Sequence, residues 1–394
     1  MITPGSRPFK AICFTIGGAT SFATCIYSYY IYFFMRDQFG FNGRDNLAFA
    51  ALNGLVYMIS AWQGGRFGQR RGYFNAFKFG FGAMILASAA ASQCHFALGL
   101  VLATALLNVG MCFIWPALEA LVSEGEDAVG LPRMVGTYNV VWASTNALAL
   151  FTGGTLVEQF GFKTIFYLPG AMFVGLLALA WWLQRYTEAA HAAGHQPLQA
   201  PLPDPHRPSP AKTRAFLHMA WLSNPVAYVA INTFIPMLPT LATHFHLTPM
   251  FAGFACSLWG FARLGTFLTL WFWTGWHYRF RWLVTAFSLL IVSFAAILIV
   301  PSLAVMLAAQ IFFGGAIGLI YYSSLFYSMD ASEAKGDHGG IHEAAIGVGN
   351  CIGPGVGALS LEFLPQYSHS GAAAVSGLLV LGFAGLLAIW KAAK

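Results

Sequence analysis

Runs of about twenty apolar residues recur from one end of the chain to the other, and a bilayer core about 30 Å thick takes one such run as a helix. They fall at 9–35, 46–64, 73–93, 95–122, 132–157, 162–184, 214–243, 249–274, 281–300, 302–327, 340–363 and 370–391. Lipid offers no hydrogen bonds, so each run must satisfy its backbone internally as a helix. The chain is 58% hydrophobic and 9% charged, whereas soluble domains carry about 25% charged residues. An all-α polytopic membrane protein of twelve spans is expected, and a soluble enzyme with one anchor is excluded.

Residues 185–213 interrupt this pattern. They contain AAHAAGHQPLQAPLPDPHRPSP, rich in proline and without apolar periodicity, and they read as an extended linker. Its histidines His191, His195 and His206 read as solvated residues. The expected organisation is a six-helix unit over 1–184, the linker 185–213, and a second six-helix unit over 214–394. With the N-terminus inside, only Arg36, Arg44 and Lys163 of the 20 Lys and Arg residues lie outside, and Arg263 lies within a span. This positive-inside bias places both termini in the cytoplasm.

The net charge of +6 comes from short breaks between apolar runs. It therefore reads as a topology signal and not as a nucleic-acid patch. The six cysteines lie in or beside apolar runs with no CxxC spacing, which points to neither a zinc site nor a disulfide framework. No HExxH, GxSxG or GxxxxGK[ST] motif is present, so neither an enzyme nor a nucleotide-driven pump is indicated. The long first apolar run reads as a span and not as a cleaved leader. The absence of Asn-x-Ser/Thr agrees with a bacterial inner membrane.

The two halves carry traces of one another. A shift of 204 residues lays Tyr138 on His342, Asn139 on Glu343, Asn146 on Asn350 and Gly153 on Gly357. A shift of 207 lays Gly68 on Gly275, Trp115 on Tyr322 and Leu118 on Leu325. Repeated six-span halves around a midplane site suit alternating access.

Two such halves joined by a long linker resemble the major facilitator superfamily. GGRFGQRRG, residues 64–72, resembles that superfamily's signature between the second and third spans. Arg66, Gly68, Arg70 and Arg71 fit it as a gating loop, while Gly65 stands where the signature has an acidic residue. WTGWHYRFR is a more degraded second-half counterpart. WPALEALVSE in the fourth span and YNVVW followed by TGG in the fifth resemble bacterial members. GPGVGAL at 353–359 resembles the glycine-proline pattern of proton antiporters, but it lies in the eleventh span; the fifth has Ala149 and Leu150 there. The resemblance implies two pseudo-symmetric six-helix bundles and secondary transport without a resident cofactor. It names no substrate.

Arg263 is the strongest single oddity. It lies thirteen residues past Met250, about 20 Å along its helix and so near mid-bilayer. An arginine there costs from about 3 to more than 10 kcal/mol. It should face a wet cavity, either binding an anionic substrate group, balancing a titrating carboxylate, or locking two helices together. Glu343 and Asn350 share one helix face, and Asn139, Trp142 and Asn146 form the matching stripe on the fifth span. Lipid cannot satisfy such a stripe, so it must point inward. Glu343, with His342 beside it, reads as a proton-coupling pair or as an interfacial helix start. Glu119, near the cytoplasmic end of the fourth span, reads as a coupling carboxylate or a gate residue. Tyr27 and Tyr30 on the first span, and Tyr321 and Tyr322 on the tenth, line a cavity or form an interfacial belt. Asn232 precedes IPMLP in the seventh span, where the prolines suggest a broken helix near the site.

His244, His246, Met250 and Met237 offer imidazole and thioether ligands that suit copper, though no ladder of Met or Cys continues into the helices. The expected function is a proton-linked secondary transporter of a small organic anion or zwitterion, acting as a monomer in the bilayer. Arg263 and Glu343 are expected to communicate, with Glu119 as the alternative carboxylate. The alternatives are a copper importer and a transporter-fold protein that scaffolds or senses.

Overall fold

The computed structural model describes residue 3 and residues 5–126, 130–192, 210–330 and 335–393. In chain order the helices are α1 (Arg7–Phe39), α2 (Gly43–Arg71), α3 (Tyr73–Gln93), α4 (Ala97–Ser123), α5 (Gly130–Phe160), α6 (Thr164–Ala192) and α7 (Pro210–His244). They continue with α8 (Pro249–Cys256), α9 (Leu258–Phe272), α10 (Phe280–Ile299), α11 (Leu303–Asp330), α12 (Lys335–Phe363) and α13 (Ser370–Ala392). No strand occurs among the described residues. Eleven spans are long and apolar enough to cross a membrane, with α8 and α9 together forming the one over Pro249–Phe272. The twelfth is α2. Its length suffices, but Asn46, Asn53 and the arginines of its last turns lower its hydropathy.

The helices start and stop for local reasons. Ser6 caps α1 through the Phe9 amide, and Gly40 ends it with φ 68°, a left-handed geometry that glycine adopts without strain. Asn42 and Asp45 form a reciprocal capping box at the start of α2. Lys10, buried near the start of α1, pairs with Glu126 just past α4, which ties down the N-terminal face of the bundle.

Three expectations about local structure change. Residues 64–71 are not a loop. The helix α2 runs through them and stops only at Gly72, whose φ is 91°. The seventh span is not broken either, since α7 carries Pro225, Pro236 and Pro239 without interruption. The break lies in the eighth span, at Ser257 between α8 and α9. Finally, α6 runs to Ala192 and α7 opens at Pro210, so helix takes in both ends of the expected linker. Residues 193–209, with His195 and His206, lie outside the described residues.

Two sets of helices are packed together. Within the first, α1 contacts α4, α5 and α6, and α3 contacts α4 and α6. Within the second, α7 contacts α11, α12 and α13, and α10 contacts α11 and α13. The sets meet along two seams, α2 on α12 and α5 on α8 and α9. Both seams are built on glycine. A side chain at Gly54 would run into the Asn350 carbonyl, one at Gly347 into Met58, and one at Gly154 into Pro249. Without a hydrophobic drive between helices in lipid, close backbone approach of this kind supplies the packing energy. The glycines of the 353–359 pattern serve packing too, because Gly353 sits against Val229 and Thr233 of α7.

Candidate functional site

A cavity of about 200 Å³ lies between the two sets, lined by α1, α2, α4 and α5 from one and by α7, α9, α11 and α12 from the other. Trp142, Asn146, Asn232, Arg263, Tyr321, Glu343 and Asn350 all reach it. Most of the expected stripe therefore faces one space.

Arg263 is 3% exposed. Its guanidinium carbon lies 4.6 Å from the ring centroid of Trp142 and 4.6 Å from that of Trp259, so two indoles clamp it. Nη2 donates to Asn146 Oδ1 at 2.7 Å, and the same oxygen accepts the Tyr29 hydroxyl at 3.0 Å. The buried Nε makes no hydrogen bond. Trp259 comes from the same helix one turn earlier, whereas Trp142 and Asn146 come from α5 across the seam. Among the described residues Arg263 has no carboxylate partner: the ion pairs join Lys10 to Glu126 and Arg44 to Asp45 and Glu362. The expected contact with Glu343 is thus not an ion pair here. Indole faces and an amide hold the arginine instead.

Glu343 is 4% exposed and accepts the Tyr57 hydroxyl. It stands seven residues before Asn350 on α12, about 10 Å nearer the N-terminal face. Asn350 accepts from Asn232 at 2.6 Å, so Asn146 and Asn350, related by the internal repeat, each bind across to a neighbouring helix.

Several expected residues lie behind this surface. Asn139 is fully buried and accepts the Trp142 indole N–H at 3.1 Å, so it positions the clamp without reaching the cavity. His342 is buried against the Tyr321 ring at 5.7 Å, its Nε2 unpartnered. Glu119 is buried with Oε1 unpartnered, within electrostatic range of Glu343. Tyr322 packs on Trp276 and Phe267, in the core of the second set.

The tyrosine pair of α1 needs correction. Tyr27 bonds Thr104 at 2.9 Å and packs on Phe166, and Tyr30 bonds the Leu150 carbonyl. Both belong to the core of the first set, and it is Tyr29 and Tyr32 that line the cavity. The helix carries tyrosine on opposite faces, and spacing alone favours neither.

Sequence reasoning also passed over Tyr57, Trp259 and Tyr228. Trp259 was detectable as an indole one turn before a buried arginine. Tyr57 was detectable as the continuation of the Asn46 and Asn53 face of α2. Tyr228 carried no signal.

The basic motif lies on the end of α2. Arg66 stacks on Trp62 at 4.4 Å, and Arg70 and Arg71 are exposed. Gly68 accepts the Gly72 amide and closes the helix. Gly65 is buried. At the other side, Met250 offers its amide to Glu158 at 2.7 Å, and no cluster of three or more His, Cys, Asp or Glu suited to a metal occurs among the described residues.

A helical membrane bundle whose two sets of helices enclose a charged, aromatic-walled cavity has the build of a solute carrier. The family model described as Major Facilitator Superfamily matches residues 95–354, and the chain belongs to that superfamily of secondary transporters. No curated protein matches the sequence.

Proposed function

We propose that this protein is a proton-linked secondary transporter of a small organic anion or zwitterion. It works by alternating access between a unit over 1–184 and a unit over 214–394, joined by the linker. The carrying observation is Arg263, a buried permanent cation on the cavity wall with no carboxylate partner among the described residues. Such a charge is costly in a membrane unless an anion visits it. Arg263 takes the anionic group, while Trp142 and Asn146 fix its plane and Asn232, Asn350 and Tyr321 shape the rest of the site. Glu343 exchanges the proton, with Tyr57 as its hydrogen-bond donor and His342 and Glu119 behind it. Arg66, Gly68, Arg70 and Arg71 act at the helix end on the N-terminal side.

The lysine and arginine distribution supports an inner-membrane orientation with both termini cytoplasmic. Protease added to the cytoplasmic side should cut within 195–210, and cutting only from the other side would overturn the topology. Uptake into proteoliposomes from a metabolite mixture, with and without an imposed pH gradient, tests the transport reading. Accumulation driven by the gradient supports it, and no flux of any solute refutes it.

A further inference from the structure

The same cavity has enough chemistry on its walls to narrow its solute, an inference that rests on the transport reading. We propose that the solute is a flat, ring-bearing monocarboxylate of about benzoate size, held with its carboxylate on Arg263 and its ring among the aromatic walls.

The charge count comes first. Among the described residues, Arg263 is the one cationic side chain lining the cavity, and Glu343 is the one carboxylate. A monoanion satisfies the arginine. A dicarboxylate or phosphate monoester brings a second negative charge that finds no second cation on this lining. An uncharged polyol leaves the guanidinium unpaired, with its buried Nε–H still unsatisfied.

Geometry then fixes orientation. Trp142 and Trp259 each hold the guanidinium over a ring face, and Asn146 occupies one Nη2 donor. The donors that Asn146 leaves free suit the planar two-oxygen face of a carboxylate.

Size and shape follow from the walls. A cavity of about 150 Å³ lined by apolar side chains holds benzene, and this one is about 200 Å³. The excess accommodates a carboxylate. Tyr321 stands with its ring centroid 5.1 Å from that of Trp142 and 6.2 Å from that of Tyr228, so rings border the arginine. Ile231, Ile235 and Ile346 supply an aliphatic side. Ring edges and faces of this kind reward a flat body, while Ser28, Asn53 and Asn108 on the same lining offer partners to a polar ring substituent.

Cys25 provides the readout, since it lines the cavity beside Asn146. Purified protein is alkylated with N-ethylmaleimide, and the Cys25 peptide is followed by mass spectrometry with benzoate, benzamide, phthalate or phenylalanine present. Benzoate should slow labelling, with benzamide at least about tenfold weaker, the loss expected when a charge-assisted hydrogen bond is absent. Phthalate and phenylalanine should protect poorly. In Arg263→Gln the benzoate protection should disappear. The benzoate–benzamide comparison uses the unaltered protein, so it stands even where that variant folds badly. Equal protection by benzamide overturns the charge assignment, and stronger protection by phenylalanine shows a zwitterion site. Counterflow from a metabolite mixture is run in parallel. Flux of other solutes with no benzoate protection sinks this inference and leaves the transport reading standing, whereas no flux at all sinks the transport reading itself.

Discussion

Tyr57 donates its hydroxyl to Glu343 across the seam between α2 and α12, so a buried carboxylate of the second set depends on a phenol of the first. The bond exists only while the seam is packed. On the proposed function, a proton taken up by Glu343 would therefore alter an interaction between the two sets of helices. That is the form of coupling that alternating access requires, since a ligand shifts a conformational equilibrium only through a difference in its interaction with the two states.

Glu343→Gln keeps the shape and one acceptor while removing the titration. Solute exchange should stay within about threefold of the unaltered protein, while accumulation driven by a pH gradient should vanish. Tyr57→Phe leaves the carboxylate without this hydrogen bond, at a cost of about 1.5–3 kcal/mol for a charged acceptor, and should reduce gradient-driven accumulation without abolishing exchange. Uptake and counterflow in the same proteoliposomes separate the two effects. Undiminished accumulation in Glu343→Gln removes this carboxylate from the mechanism.

The end of the bundle away from the N-terminus is latched by two arginines of unequal weight. Arg36 donates to the Pro239 carbonyl at 2.7 Å and to Thr243 Oγ1 at 2.8 Å, joining α1 to α7. Arg44 pairs with Glu362 and joins α2 to α12, but both side chains are about half exposed. Exposed pairs contribute about 0–1 kcal/mol, and a charged hydrogen bond such as the partly buried one to the Pro239 carbonyl about 1.5–3 kcal/mol, while the bond to Thr243 is exposed. Arg36→Ala should therefore open this face by about ten- to a hundredfold, and Arg44→Ala by at most about fivefold. The labelling rate of Cys25 by a membrane-impermeant maleimide added at that face measures both. The reverse ranking contradicts the assignment.

The spans were legible because lipid imposes one rule on every residue of a span, and so each apolar run marks a helix. The third apolar run, 73–93, is the helix Tyr73–Gln93. The exceptions were places where helix geometry and polarity part company. Residues 64–71 look like a loop because arginine and glycine accompany the helix end, yet backbone hydrogen bonding continues to Gly72. The site was legible wherever a polar residue had no alternative to facing inward, as with Arg263, Asn146 and Asn350. It was not legible for tyrosine, which serves both core and cavity. Tyr27 and Tyr29 lie two residues apart on nearly opposite sides of α1, and only the packing of Phe166 and Thr104 against Tyr27 decides between them.

The glycine seams give a stability contrast. Gly54 faces the Asn350 backbone directly, whereas a side chain at Gly82 meets nothing within 4 Å. Gly54→Ala should destabilise the protein by about 1–3 kcal/mol, the usual cost of overpacking, and weaken transport because Asn350 must move. Gly82→Ala should be neutral or stabilising by about 0.5–1 kcal/mol, as removing an interior helical glycine generally is. Thermal unfolding in detergent, followed by tryptophan fluorescence, compares them. Equal midpoints for the two variants contradict close approach at the α2–α12 seam.

The two indoles around Arg263 should prove functionally unequal, although each lies 4.6 Å from the guanidinium. Trp259 belongs to the same helix as the arginine and moves with it in any rigid rearrangement. Trp142 belongs to α5, so its contact breaks whenever α5 and α9 separate. A desolvated cation–π contact contributes about 0.5–2 kcal/mol, equivalent to about two- to thirtyfold in an equilibrium. Trp259→Leu should loosen the guanidinium in every conformation and raise the KM for solute by that factor, with little change in the impermeant labelling of Cys25. Trp142→Leu removes attraction present only in the packed state, so it should raise KM and also speed Cys25 labelling from the face away from the N-terminus. Measuring KM and labelling in both variants distinguishes the roles. If Trp259→Leu accelerates labelling as much as Trp142→Leu does, the contact across α5 and α9 is not what holds that face closed.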